Sequence, residues 1–213
     1  MGRLPTTVSR SWPQRPLASV AARVFAGVAA RRRGAADASQ QLPIINVGDL
    51  RDGLIAPLEE LSGPPIPSGA RTESYRVQTD DVVLTSRGTR LKVARVTSGV
   101  AGAAISSNLI AIRLGEELLA PVLFAYLQGS RGQAALMGRS RSSTISLALS
   151  AKGVGRLLVP VPPMEVQRQI ADLVRAAEDN YAAALRAAEQ RRAVAHAVAS
   201  DLLSGSVPNG REE

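Results

Sequence analysis

The sequence predicts a mixed α/β (α+β) protein, a β-rich head followed by one long C-terminal α-helix. Two observations carry that reading. Short β-type runs separated by Gly, Pro and Asp turns continue to about residue 162, and then no proline or glycine occurs across the 40 residues from Met164 to Leu203. Between them, "RLLVPVPPMEVQRQIADL" (156–173) passes from an apolar run through prolines straight into a helical pattern.

The elements follow in order. Residues 1–15 read as a loose N-terminal tail, with the fold beginning near Leu17. "LPIINVGDLRDGLI" (42–55) alternates short apolar runs with Gly-Asp and Asp-Gly, which predicts strand, turn, strand. "SGPPIPSGARTES" (62–74) is a surface loop. "DDVVLTSRGTRLKVARVTSG" (80–99) gives a strand around Val82–Thr85, a glycine turn at Gly88 and a second strand around Lys92–Thr97; Asp80 and Asp81 serve the turn before it. "AAISSNLIAIRLG" (103–115) is a strand bulged near Ser106–Asn108. The period then changes to helical over 118–138, giving one helix or two short ones. "RSRSSTISLAL" (139–149) is a serine-rich basic loop entering a short strand, and "GRLLVPVP" (155–162) is a buried strand that must end at its prolines.

Pro163 suits the first helical position, where its missing N–H is no loss, and Glu165 suits the positive end of the helix dipole. A single helix over Met164–Leu203 would extend about 60 Å at 1.5 Å per residue. Its apolar stripe runs through Ile170, Leu173, Ala177, Tyr181, Ala184, Ala188, Ala195, Val198 and Leu202. Twelve of the 31 residues from Ile170 to Ser200 are Ala, so the stripe permits close approach but buries little area alone. The helix needs a partner helix. The domains expected are a tail (1–15), a head (16–162), the long helix (163–205) and a second tail (206–213).

Charge is segregated along the chain. Residues 1–81 carry 10 basic and 8 acidic side chains, residues 82–156 carry 10 and 2, and residues 157–213 carry 6 and 8. The middle segment therefore holds the whole net excess of +8. Of the 26 basic residues 24 are Arg, whose planar fork of donors matches phosphate oxygens and the O6/N7 edge of guanine. A concentrated basic segment points to nucleic acid; the alternative is a merely solvated basic surface. The candidate DNA contacts are Arg87, Thr89, Arg90, Lys92 and Arg95 around the glycine turn, and Arg139, Ser140, Arg141, Ser142 and Ser143 in the second basic loop.

Catalytic patterns are missing. There is no cysteine and only one histidine, His196, which removes thiolate sites and an H-E-x-x-H pair. Neither a phosphate loop nor a G-x-G-x-x-G after a strand occurs. The serines from 140 to 146 have no evident base. "VPPM" (161–164) lacks the asparagine and aromatic residue of the amino-methyltransferase motif. No metal or cofactor is expected, and no stretch of 18 or more uncharged apolar residues suggests a membrane span; a cytoplasmic location is expected.

The order "INVGDLRDGLI", "DDVVLTSRGTRLKVARV", "AAISSNLIAIRL" and "STISLALSAKGVGRLLVPVPPMEVQRQIADLV", with a long charged helix ending in "DLLSG" (201–205), resembles a specificity subunit of a type I restriction-modification system. The family closes its target recognition domain with a strand, a Pro-Pro turn and a Glu-x-Gln-x-x-Ile-Ala helix opening, matched here by Pro162, Pro163, Glu165, Gln167, Ile170 and Ala171. The resemblance implies a non-catalytic subunit that reads one half of a bipartite site in double-stranded DNA, with the helix as spacer. It also implies a docked methyltransferase subunit and, in a complete complex, a restriction (translocase/nuclease) subunit. The usual family chain has two such heads and two such helices. This chain has one of each, so a homodimer paired through the long helices is expected, on a symmetric palindromic site. The rival readings are a helical interaction or scaffold protein and a remnant of a two-domain specificity subunit.

Overall fold

The protein is described as a computed structural model, covering residues 11–29, 41–140 and 147–204. It divides into two compact units, Met1–Ala171 and Asp172–Glu213. The architecture is α+β, with short strands in small sheets and one long C-terminal helix, as the sequence predicts.

The head opens with β1 (Gln14–Pro16), a short helix α1 (Leu17–Val20) and β2 (Ala21–Ala26). Gln14 and Arg15 already pair with β14 (Leu158–Pro160), and Val161 donates to the Pro13 carbonyl at 2.9 Å. The expected tail therefore ends earlier than residue 15. An N-terminal strand satisfies the last strand of the head, whose edge would otherwise expose unpaired backbone.

The core is a four-stranded antiparallel sheet in the order β10 (Val93–Arg95), β8 (Val82–Thr85), β12 (Leu109–Leu114), β2. Every residue of β8 is buried, which is why "VVLT" reads as a continuous apolar run and not as an alternation. One face packs Val83, Ala94 and Ala111 with Phe25, Ile45, Leu50, Ile105 and Leu109. The bulge expected near Ser106–Asn108 is a turn between β11 (Ala104–Ile105) and β12, and β11 runs parallel to β4 (Ile44–Ile45). The segment 118–138 forms two helices, α3 (Ala120–Gln128) and α4 (Ser130–Met137). They meet so closely at Gly132 that a Cβ there would lie 2.1 Å from the Tyr126 carbonyl oxygen.

Smaller pairs complete the head: β3 (Gln41–Leu42) with β7 (Ile66–Pro67), and β5 (Leu50–Arg51) with β6 (Leu54–Ile55). A short helix α2 (Ala70–Glu73) follows β7, and α5 (Ala151–Gly155) begins at Ser150, whose side chain accepts from the Gly153 N–H.

The last element, α6, runs Met164–Leu203 without interruption. Its first turns belong to the head unit. Gln167 and Ala171 are buried and Ile170 is half-buried. In the second unit the rest of the predicted stripe, Leu173, Ala177, Tyr181, Ala184, Ala188, Ala195, Val198 and Leu202, is exposed, as are Leu185 and Val194, which the stripe did not include. Among the described residues no helix is long and apolar enough to cross a membrane.

Candidate nucleic-acid interface

The described ends of the second basic loop, Ser140 and Leu147–Ala148, meet the first at Arg87–Gly88. Gly88, expected as a plain turn, lies in a two-residue strand β9 (Arg87–Gly88) that pairs antiparallel with β13 (Leu147–Ala148). Its φ of +146° is open to glycine and strained for other residues. Ser86 anchors the junction: its N–H donates to the Asn108 carbonyl at 2.8 Å, and its carbonyl accepts from Leu149 N–H at 2.8 Å. On the other loop, Ser140 Oγ accepts from Ala148 N–H at 3.1 Å. Pairing of 87–88 with 147–148 thus merges two segments more than fifty residues apart in the chain into one surface.

The candidate side chains divide into two groups. Arg87, Thr89, Arg90 and Arg139 are exposed, and no carboxylate among the described residues pairs with the three arginines. Lys92 and Arg95 are turned to internal work. The Lys92 ammonium donates to the Val47 and Leu50 carbonyls at 3.0 and 2.7 Å, and Arg95 Nη1 donates to Asp80 Oδ1 at 2.6 Å. These two cations tie the β8–β10 loop to the segment 47–50 and to the turn at Asp80. Ser140 is half-buried and holds β13. Arg141, Ser142 and Ser143 lie outside the described residues.

Beneath the loops the head is fixed by polar groups that carry no signal in the sequence pattern. Asp81, 1% exposed, accepts from Arg113 Nε and Nη2 at 3.0 and 2.8 Å and from Gln78 N–H at 2.8 Å. This two-pronged pair joins the start of β8 to β12. Asp80 takes a left-handed φ of 69°, so the acidic pair serves the turn as expected and the sheet as well. Asp49, fully buried, accepts from the Asn46 and Ser62 N–H groups at 2.7 and 2.9 Å. No group of three His, Cys, Asp or Glu that could hold a metal occurs among the described residues.

Gln167 joins the head to the start of α6. Its Oε1 accepts from Leu119 N–H at 2.9 Å, and its Nε2 donates to the Glu117 and Pro162 carbonyls, both at 2.9 Å. Each hydrogen of the amide is used. The Pro-Pro segment, the loop before α3 and the first turn of α6 are thereby clamped by one side chain that is 1% exposed.

No family model matches the chain, and no curated protein matches it by sequence. Solved structures do. The HsdS subunit from Thermoanaerobacter tengcongensis is 19% identical, with a TM-score of 0.54 over 95% of this chain and 47% of that one. The S subunit of a Type-I restriction-modification system from M. genitalium is 14% identical, with a TM-score of 0.57 over 94% and 48%. A structure from work on the assembly and conformational transition of the type I R-M system is 18% identical, with a TM-score of 0.55 over 95% and 47%. The chain spans about half the length of these structures. With 94–95% of this chain superposed on about half of each of them, the chain has the fold of one half of a type I restriction-modification specificity subunit.

Proposed function

We propose that this chain is a non-catalytic DNA-recognition subunit that reads one half of a bipartite site and docks an adenine methyltransferase subunit. The observation that carries the reading is the match of 95% of the chain, its head and its long helix, to about half of an HsdS subunit. The exposed arginines on the merged loops support it: Arg87, Arg90 and Arg139 present free donors to phosphate and base edges, with Thr89 beside them and Arg141, Ser142 and Ser143 next in the chain. Lys92 and Arg95 shape that surface through their internal partners.

A second copy of this chain would bring a second head to the other half-site. The apolar stripe of α6 supports pairing through the helices, because Leu173, Val198 and Leu202 are 72%, 51% and 63% exposed and small alanines between them admit a close neighbour. Two identical heads related by a two-fold axis would read a palindromic bipartite sequence. A restriction (translocase/nuclease) subunit would join such a complex as its further partner, in the cytoplasm where the DNA is.

The test is co-expression with the methyltransferase subunit, followed by mapping of methylated adenines. The expected result is methylation at a two-part palindrome. A stable complex that leaves DNA unmethylated would overturn the reading. Sedimentation of the chain should give a dimer, and Leu173→Asp with Val198→Asp a monomer.

A further inference from the structure

A groove of about 530 Å³ lies on the head between α1 and β2 on one side and α5 on the other. Apart from Val24 its uncharged lining is small, with Ala18, Ala21, Ala22, Ala151 and Gly155, and a Cβ added at Gly155 would approach that of Ala18 to 3.3 Å. Three cations line it, Arg23, Lys152 and Arg156. All three are exposed. None is in an ion pair with a carboxylate among the described residues, and the chain has no Asp or Glu from Leu118 to Met164 to supply one from the α5 side. The Arg23 guanidinium lies 4.3 Å from the centroid of the Phe25 ring, so stacking holds its plane while its N–H edges stay available.

We propose that this groove is a second DNA-contacting surface, a track for the phosphate backbone that adds affinity and register without reading bases. The inference rests on the DNA-recognition reading above. Placement argues for DNA: Ala148 is the strand partner of Arg87, and Lys152 follows it by four residues, so their Cα atoms lie at most about 14 Å apart. Along a duplex that is roughly four phosphates of one strand, at 3.4 Å each. A duplex seated on the recognition loops therefore has its backbone within reach of Lys152 and then Arg156. The small Ala and Gly side chains between the cations let a sugar-phosphate strand approach the groove floor. Backbone contacts of this kind fix orientation, and sequence is read elsewhere.

The test uses the full chain and titrates binding across salt on its methylation-mapped duplex and on an unrelated duplex. Lys152→Gln with Arg156→Gln should weaken binding to both duplexes by the same factor and lower the salt slope by about 2, and adding Arg23→Gln should bring the loss to about 3. The mapped site should stay the same. An unchanged slope in these variants, alongside weakened binding by Arg87→Ala, would overturn the groove and leave the recognition loops standing. Loss of methyltransferase association with DNA affinity intact would overturn it too, by making the groove a protein-docking face. Wild-type chain that binds neither duplex would sink the DNA-recognition reading itself. Melting curves identify any variant that fails to fold, and in that event Lys152→Gln alone, with an expected slope change of about 1, decides the matter.

Discussion

Replacing Gln167 by alanine removes three hydrogen bonds from a side chain that is 1% exposed. The Leu119 N–H loses its acceptor, and a donor left without a partner in a half-buried place costs about 1–3 kcal/mol. The Glu117 and Pro162 carbonyls each lose a bond with a net contribution of about 0.5–1.5 kcal/mol. Carbonyl oxygens recover water more readily than a buried N–H does, so the sum falls near 3 kcal/mol. For a chain of this size each kcal/mol moves Tm by roughly 2–4 °C, so Gln167→Ala should melt about 6–12 °C below wild type in a calorimetric or circular-dichroism scan. Gln167→Glu should do no better, because it keeps the acceptor for Leu119 but sets a carboxylate oxygen against two carbonyls. Hydrogen exchange separates a local from a global effect: the Leu119 amide should lose protection in Gln167→Ala and keep it in Gln167→Glu, which retains its acceptor. A Tm within 1–2 °C of wild type in Gln167→Ala, with Leu119 still protected, would refute the claim that this amide clamps head to helix.

Asp81→Asn should destabilise the head by about 3 kcal/mol, seen as a lower denaturation midpoint, because Arg113 then keeps its charge in a site built around a carboxylate. Gly132→Ala should be destabilising although alanine favours helices, since the new methyl would meet the Tyr126 carbonyl and not a movable side chain; a rise in Tm would contradict the packing of α3 on α4. Lys92→Ala should lower thermal stability more than it lowers DNA affinity in binding titrations, and Arg87→Ala should do the reverse. Tyr126 is raised above the usual phenol value of 10.0, chiefly by burial, with Arg131 acting in the opposite direction. The folded state therefore holds that proton longer than the unfolded chain, and the associated stability, present below pH 10, is lost as pH rises through the folded pKa. An ultraviolet titration should show one tyrosine ionising late, and Tyr126→Phe should remove it.

The long helix was fully legible in the sequence, because its signals are local: prolines at 162 and 163 stop a strand, an acid follows in the first turn, and nothing breaks the helix until Leu203. Strand β8 and the helical character of 118–138 were legible for the same reason, while its division into two helices was left open. What the sequence could not rank was the cations. Lys92 and Arg87 stand five residues apart in one basic loop, yet Lys92 reaches carbonyls at 47 and 50 while Arg87 faces water, a difference made by acceptors more than forty residues away. Gln167 was visible as a member of a motif, but its three partners at 117, 119 and 162 exist only once α3 and the Pro-Pro segment are brought together. Arg23, Lys152 and Arg156 were not selected at all, being scattered over more than 130 residues of chain. By itself, then, the sequence determined the order of elements, the placement of the charge and most of the exposed apolar stripe of α6, since periodicity, proline and composition act over a few residues. The tertiary structure decided which charges are spent inside the head and which are left for a ligand, because a charge is satisfied by whatever folding brings within about 3 Å of it.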